Sequence, residues 1–365
     1  MKDLKLYVAG GCEEHGRNCF LLRSGNCAIL FDCGVLMEGS GVQYPLLDSQ
    51  MVRDVKWMFL SHSHADHSGA IDFLESLGFR GTYAMSNMTF GQLKDVPERC
   101  RIIDIAGPAM MWQELGDGLR MRWGWSGHCF GAVWYQVDMC GPVVLFSGDY
   151  TEHSPLYACT PIRSLQAELA ILDCAYGDDS RLFAEHVRLL LGVVGSYVGN
   201  GVSVIFPVPR HGRGLELMLL LRQRFPQSPI YLDATLLSQV RQLTAFRSDS
   251  FHPLSEARPN GFVFLADPQL RQGLSPLPRG LAEKSVVLLS GTCEDGSPAQ
   301  RLLMDGQAIF CRYPVHQNMR DIEELVSRNR FGKVLLTHAP AGSFDELLLD
   351  DRYCVCSPGL GLIVV

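Results

Sequence analysis

The sequence of 365 residues lacks several features that would identify a membrane, secreted or repeat protein directly. It has no run approaching the roughly 18 apolar residues of a membrane-spanning helix, and its first residues hold no apolar signal-peptide core. Its 13 cysteines are scattered and form no Cys-x-x-Cys pair. Internal repeats and low-complexity tracts are also missing. We therefore expect a cytoplasmic protein with reduced thiols and no membrane partner.

Basic residues are fewer than acidic ones. The sequence holds 32 Lys and Arg residues against 39 Asp and Glu residues, which gives a formal net charge of -7. This balance counts against a large non-specific nucleic-acid surface and leaves a local basic groove open. Hydrophobic residues make up 47% of the sequence, enough for a sizeable core, and the length indicates one large domain or two.

The apolar pattern changes along the chain. Residues 4–8, 18–22 and 27–31 are short apolar runs separated by turns, which predicts a β-meander. The run after Asp66 has the apolar spacing of a helix. Helical and strand patterns alternate between residues 184 and 246, which predicts a parallel α/β unit. Residues 249–280 are rich in Pro, Arg, Ser and Gly and predict a loop or lid.

The segment His62-Ser-His-Ala-Asp-His67 places three imidazoles and a carboxylate within six residues, after a predicted strand. Imidazole nitrogen and carboxylate oxygen are ligands that bind Zn²⁺ without redox chemistry. His62 and His64 can face one ion, and Asp66 and His67 can reach a second. Two ions about 3.5–4 Å apart would hold a bridging hydroxide. The alternative, a histidine-rich surface loop, does not account for this spacing.

Three further polar residues each follow a predicted strand. His128 would supply the third histidine of the first ion, and His338 would complete the second. Asp149, which follows a Ser-Gly pair, would bridge both ions. Each residue alone has a weak claim to be a ligand, but the set in this order is a specific signal for a two-metal site.

These motifs resemble those of the metallo-β-lactamase superfamily and, within it, the β-CASP nucleases of the RNA-processing type. The superfamily motifs are matched by Phe31-Asp-Cys-Gly34, by the His62–His67 segment, by Ser126-Gly-His128 and by Gly148-Asp-Tyr150. The later β-CASP motifs are matched, in order, by Asp173, by the segment from Ile205 to Leu217, by Ser290-Gly-Thr, by His316 and by His338.

The resemblance covers essentially the whole chain and implies an α/β fold. It implies a metallo-β-lactamase αββα sandwich formed by residues 1–180 and 286–365, interrupted by a shortened, inserted α/β β-CASP-like domain over residues 181–285. Two contexts depart from the family pattern. His316 lies in Pro-Val-His-Gln, and His338 is followed by Ala-Pro.

The resemblance also implies roles for the residues. His62, His64 and His128 would hold one Zn²⁺, Asp66, His67 and His338 the other, with Asp149 between them and Mn²⁺ as an alternative metal. The bridging hydroxide would attack phosphorus, His316 would protonate the leaving oxygen, and Asp173 would orient His316. Asp66 is assigned a catalytic as well as a ligand role, and Asp32 would orient the histidine loop. Residues that could contact substrate phosphates or face the cleft are His211, Arg213 and Ser290, whereas we expect surface or packing roles for His15, His153, His186 and His252.

The substrate remains open between several classes. The β-CASP motif set favours single-stranded RNA, cut internally or from the 5′ end. The net charge of -7 and the short inserted domain favour instead a small ester, nucleotide or cyclic nucleotide. A non-catalytic subunit of a complex is a third reading, which the intact ligand set opposes. Homo-oligomerisation is not determined by the sequence.

Overall fold

The structure is a computed structural model that describes residues 3–38, 41–93, 102–104, 109–177, 179–243, 251–340 and 342–363. Its internal contacts divide the chain into two units. One comprises Met1–Met37, Gly41–Ser180 and Val315–Val365, and the other comprises Glu38–Ser40 and Arg181–Pro314. The return to the first unit thus lies at Val315 and not at the predicted residue 286, because strand Ser285–Leu289 pairs with Ser203–Pro207 inside the second unit.

Two sheets form the first unit. One sheet has seven strands among the described residues, in the spatial order Gly361–Ile363 (β22), Leu4–Gly10 (β1), Cys19–Ser24 (β2), Cys27–Phe31 (β3), Trp57–Phe59 (β6), Thr82–Met85 (β7) and Ile102–Asp104 (β8). The other sheet, over the same described ranges, has the order Tyr353–Cys354 (β21), Arg330–Thr337 (β20), Gln166–Asp173 (β13), Val143–Phe146 (β12), Val133–Met139 (β11), Leu119–Trp125 (β10) and Gln113–Gly116 (β9). Leu36–Glu38 (β4) and Gly41–Gln43 (β5) form a small separate ribbon.

Alternation along the strands explains why the sheets pack face to face. In β1 the side chains of Leu4, Leu6 and Val8 are buried, and in β10 those of Leu119 and Met121. All five belong to one hydrophobic cluster between the sheets, as expected when period-2 patterns share a core.

Helices cover the outer faces of both sheets. The helices of the first unit described by the structure are Ser49–Val52 (α1), Ala65–Ser68 (α2), Ile71–Ser76 (α3), Asn87–Gln92 (α4) and Met319–Ser327 (α9). Ile71 of α3 packs into one outer cluster and Ile322 of α9 into the other. The predicted αββα sandwich is therefore confirmed.

The second unit is built on a parallel sheet. Its described strands are, in spatial order, Phe251–Pro253 (β16), Ile230–Leu232 (β15), Phe262–Leu265 (β17), Ser203–Pro207 (β14), Ser285–Leu289 (β18) and Ala308–Phe310 (β19). Its described helices are Phe183–Gly199 (α5), Arg213–Arg224 (α6), Ala234–Gln242 (α7) and Pro298–Met304 (α8). Within the described ranges, no helix of either unit combines the length and the apolar character needed to cross a bilayer.

The predicted alternation of helices and strands is thus correct, but the loop expected over residues 249–280 is wrong. Residues 249 and 250 lie outside the described residues. The remainder contributes β16 and also β17, which pairs with both β14 and β15. The four apolar residues of β17 are too few to show a period among the surrounding Pro, Ser and Gly.

The parallel strands of the sandwich bring the polar motifs together. Strands β12, β13 and β20 run parallel, so their carboxyl ends meet at one edge of the sheet. Asp149 follows β12, Asp173 ends β13 and His338 follows β20. In the facing sheet, β3 and β6 are also parallel, and they lead into Asp32 and the His62 segment.

Gly34 and Gly148, two glycines of the motifs, lie so close to neighbouring segments that a Cβ atom would not fit. A Cβ on Gly34 would lie 1.7 Å from the carbonyl oxygen of Asp66. Gly148 has a φ of +51° and a Cβ there would lie 2.5 Å from Ser61 Cβ. Any larger residue would therefore displace the loops that carry the histidines.

We predict that Gly34→Ala lowers the free energy of unfolding by about 1–3 kcal/mol, the usual cost of overpacking. Urea denaturation would measure the change. Gly192→Ala is the matched control, because this exposed glycine within α5 has nothing within 4 Å of a new Cβ, so alanine there should stabilise by about 1 kcal/mol. Equal stability of Gly34→Ala and the unmodified protein would show that the loop containing Asp66 can move to accommodate the added methyl group without a cost in free energy.

Candidate metal centre

Four side chains of the first unit converge in a first cluster, composed of His62, His64, His128 and Asp149. His64 Nδ1 lies 3.0 Å from His62 Nε2 and 3.2 Å from His128 Nε2. Asp149 Oδ2 lies 3.5 Å from His62 Nε2 and 3.3 Å from His128 Nε2. One atom of each residue thus points to a common centre.

These separations fit a tetrahedral cation. Ligands about 2.0–2.1 Å from Zn²⁺ at tetrahedral angles are separated from one another by about 3.3 Å. Imidazole nitrogens that face one another at 3.0 to 3.2 Å cannot all be satisfied by hydrogen bonds among themselves, because each bond needs one N–H donor and one lone-pair acceptor. The chemistry and spacing of the first cluster therefore suit a metal ion.

A second cluster, composed of Asp66, His67, Asp149 and His338, adjoins the first. Asp149 Oδ1 lies 3.1 Å from His67 Nε2 and 3.0 Å from His338 Nδ1. Asp66 Oδ2 lies 3.6 Å from His67 Nε2 and 3.1 Å from His338 Nε2. Asp149 therefore turns one carboxylate oxygen to each cluster, as a bridging ligand would.

Hydrogen bonds fix two of the rings from behind. His67 Nδ1 lies 2.6 Å from Asp32 Oδ2, and Asp32 also accepts hydrogen bonds from the backbone and hydroxyl of Ser61, both at 2.7 Å. His128 Nδ1 lies 2.9 Å from the carbonyl oxygen of Val315. A proton on each Nδ1 leaves Nε2 with its lone pair toward the cluster.

The charges of the site favour cations. Burial tends to raise the pKa of Asp149 and Asp66, but the surrounding histidines, His67 foremost, hold both well below the usual range. Burial lowers the pKa of His62 well below its ordinary value and that of His128 to about 3. His62 and His128 thus offer neutral imidazoles beside the ionised carboxylate of Asp149, the forms that bind metals.

His316 and Asp173 form a pair beside both clusters. His316 Nδ1 lies 2.9 Å from Asp173 Oδ2, and the His316 ring centroid is 4.7 Å from that of His128. Burial acts to raise the pKa of Asp173, but the interaction with His316 brings it down to about 2. Asp173 is therefore ionised and can hold the imidazole. Asp149, Asp173, His316 and His338 also satisfy the spacing of a metal site.

In the second unit, Arg213 and Ser290 lie together. Arg213 Nη1 donates to the carbonyl oxygen of Ser290 at 3.0 Å, and a Cβ on Gly291 would collide with the guanidinium group. The buried hydroxyl of Ser290 has no hydrogen-bond partner among the described residues. His211 Nδ1 lies 3.1 Å from Gln239 Nε2.

Comparison with known proteins agrees with this geometry. Residues 13–84, which include Asp32 and the His62–His67 segment, match the family model described as the metallo-beta-lactamase superfamily. Over these residues the chain is similar to the metallo-β-lactamase superfamily. A structure described as a protein of unknown function from Enterococcus faecalis V583 shares the fold, with a TM-score of 0.66 and 11% identity over 99% of this chain and 100% of that one.

The curated relatives that the chain matches are longer than the chain itself. Cleavage and polyadenylation specificity factor 73 of Drosophila melanogaster is 22% identical over 95% of this chain and 61% of its own length. Integrator complex subunit 11 of Danio rerio is 23% identical over 95% of this chain and 71% of its own, and endoribonuclease YSH1 of Saccharomyces cerevisiae is 23% identical over 84% and 48%. The chain spans between 30% and 61% of the first three curated relatives. The resemblance predicted from the motifs, to the metallo-β-lactamase superfamily and its RNA-processing nucleases, is confirmed by these matches.

Sequence reasoning missed two residues next to the second cluster. The ring of His15, for which we expected a surface or packing role, is stacked on His338 with centroids 4.4 Å apart. Asn18 Nδ2 lies 3.1 Å from His67 Nε2. Their location in the Gly10–Phe20 segment, which resembles β-CASP N-termini, was the available signal. His153, by contrast, pairs with Asp321 at 3.3 Å and belongs to neither cluster.

We predict that Asp32→Asn weakens metal binding by about 10- to 100-fold, because the ring of His67 loses the charged partner that orients it. Competition with a chromophoric chelator would measure the affinity. Asp138→Asn is the matched control, since Asp138 pairs with Arg120 on the sheet surface. An unchanged metal affinity in Asp32→Asn would show that the His67 ring keeps its orientation without the charge of Asp32.

Proposed function

We propose that the chain is a zinc-dependent phosphodiesterase that cleaves single-stranded RNA. The observation that carries the proposal is the pair of clusters sharing Asp149, with the His316–Asp173 pair beside them. Support comes from relatives whose names include endoribonuclease. Cleavage can be internal, from the 5′ end, or both.

In this proposal His62, His64 and His128 hold one ion, and Asp66, His67 and His338 hold the second. Asp149, which belongs to both clusters, would be shared by the two ions. Two bound Zn²⁺ ions would supply Lewis acidity and lower the pKa of a water toward about 7. Zn²⁺ fits the imidazole-rich donor set, and Mn²⁺ is the alternative where carboxylates dominate.

The protein groups around the clusters position and move protons. His316 would donate a proton to the leaving oxygen of the phosphodiester, and ionised Asp173 would keep the imidazole ring oriented for that transfer. Asp32 would fix the tautomer of His67, and the carbonyl of Val315 that of His128. The side chain of Asp66 is 30% exposed, so this proposed ligand is accessible to solvent.

In the second unit, Arg213 and Ser290 are proposed to contact phosphates of the strand, and His211 is proposed to face the same ligand. Arg213 lies at the first residue of α6, where the backbone N–H groups also favour an anion. A guanidinium group, and a hydroxyl that has no partner among the described residues, are groups that donate hydrogen bonds to phosphate oxygens.

A second candidate is hydrolysis of a small ester, nucleotide or cyclic nucleotide, which the formal net charge of -7 favours over binding of a long polyanion. A non-catalytic role in a complex is suggested by a relative named as a complex subunit, but the full donor set opposes it. The cytoplasmic location and any homo-oligomer stay predictions.

We predict that zinc-loaded protein cleaves single-stranded RNA and that His316→Ala lowers kcat by about 10²- to 10⁴-fold, the usual contribution of a general acid. Substrates labelled at the 5′ or 3′ end would report the rate and distinguish internal from terminal cleavage. His153→Ala is the matched control, because His153 is half-exposed and outside the clusters.

Two results would change the proposal. Cleavage of DNA with every RNA left intact would overturn the choice of RNA. Turnover of a chromogenic phosphodiester with neither polymer cut, in protein with metal bound, would favour the small-substrate hydrolase.

We predict that Arg213→Ala raises KM for RNA by about 10- to 100-fold with little change in kcat, because a hydrogen bond to a charged group is worth about 1.5–3 kcal/mol and is made in both ground and transition states. Steady-state kinetics on a labelled oligonucleotide would separate the two constants. Arg224→Ala, at the exposed end of the same helix, is the control. An unchanged KM in Arg213→Ala would remove this residue from the substrate contacts.

A further inference from the structure

His338 occupies an unusual backbone position. It follows the last residue of β20 with a φ of +71°, in the left-handed region that non-glycine residues seldom adopt. Its backbone N–H donates to the carbonyl oxygen of Gly11 at 2.7 Å. Such a conformation persists only where neighbouring groups hold it.

His15 holds the same residue at two further points. Its Nδ1 lies 3.0 Å from the carbonyl oxygen of His338, within reach of a hydrogen bond from Nδ1–H. Its ring is parallel to the His338 ring within 11°, with centroids 4.4 Å apart. The hydrogen bond secures the carbonyl group of His338, as Gly11 secures its N–H, and the stack sets the plane of the ring.

The plane of the His338 ring matters because both of its nitrogens face carboxylates. Nε2 lies 3.1 Å from Asp66 Oδ2 and Nδ1 lies 3.0 Å from Asp149 Oδ1. Rotation of the ring out of its plane would move both nitrogens away from the second cluster. The hydrogen bond and the ring stack of His15 are both made with His338, which belongs to the second cluster and not to the first, so the geometry of the first cluster does not depend on them in the same way.

We propose that His15 is a positioning residue that holds His338 for metal binding and thereby tightens binding at the second cluster selectively. The proposal rests on the two-ion part of the proposed function and is independent of the substrate. His15 itself is not a metal ligand in this assignment.

The test is the stepwise affinity of the full-length protein for Zn²⁺, measured by chelator competition, with Co²⁺ absorption as a spectroscopic readout of ligand geometry. We expect His15→Ala to weaken one of the two binding steps by about 10- to 100-fold, as loss of an orienting partner does, and to leave the other within about twofold. His15→Phe keeps a ring for the stack but not the hydrogen bond, so its loss should be smaller. His153→Ala should change neither step.

A double-variant comparison assigns the affected step. In a His338→Ala background, His15→Ala should have no further effect, whereas in a His64→Ala background it should still weaken the remaining site. If His15→Ala fails to fold, His15→Phe carries the same comparison.

Two outcomes would overturn the proposal, and they differ in whether the two-ion assignment is overturned with it. Two ions bound by the unmodified protein, with both steps unchanged in His15→Ala and His15→Phe, would overturn the role of His15 and leave the proposed function standing. Fewer than two ions bound by the unmodified protein would overturn the two-ion assignment and this inference together.

Discussion

The buried carboxylate of Asp149 is the group on which the arrangement of the site depends. Its side chain is 2% exposed, and its two oxygens face different pairs of histidines. A buried carboxylate is costly unless cations or protonated partners balance it. The strand ends of both sheets therefore have to bring positive groups or metal ligands to the same point. Strands β12, β13 and β20 of one sheet and β3 and β6 of the other lead into such residues.

The same requirement explains details of the loops. Asp32, buried behind His67, holds the His67 ring through one oxygen and the Ser61 backbone through the other, so one carboxylate contacts both ends of the segment from Ser61 to His67. Gly34 lets the Asp32 loop touch the backbone of Asp66. Small changes in these supports would move ligands by tenths of an ångström, which is enough to weaken a metal site.

Much of the fold and site could be predicted because the signals are local. The His62–His67 segment has its ligand spacing within six residues, and Asp149 and His338 follow strands that are clear from their apolar runs. The contact between His15 and His338 joins residues 323 positions apart, so no local pattern indicates it. Likewise, β18 joins the second unit by pairing with the distant strand β14, and β19 pairs with β18, which is why the boundary expected at residue 286 lies at Val315.

The acidic composition and a polyanionic substrate are compatible once charge is considered locally. Two divalent cations would offset most of the negative charge of Asp66, Asp149 and Asp173, so the loaded site would repel a phosphate much less than the net charge of the chain suggests. Remote attraction for a long strand would remain weak, because the overall charge opposes it at distances within the Debye length. A substrate would then be held mainly at the scissile phosphate and by contacts such as Arg213. This predicts binding that depends strongly on the metal and less on salt than in a protein with an extended basic surface.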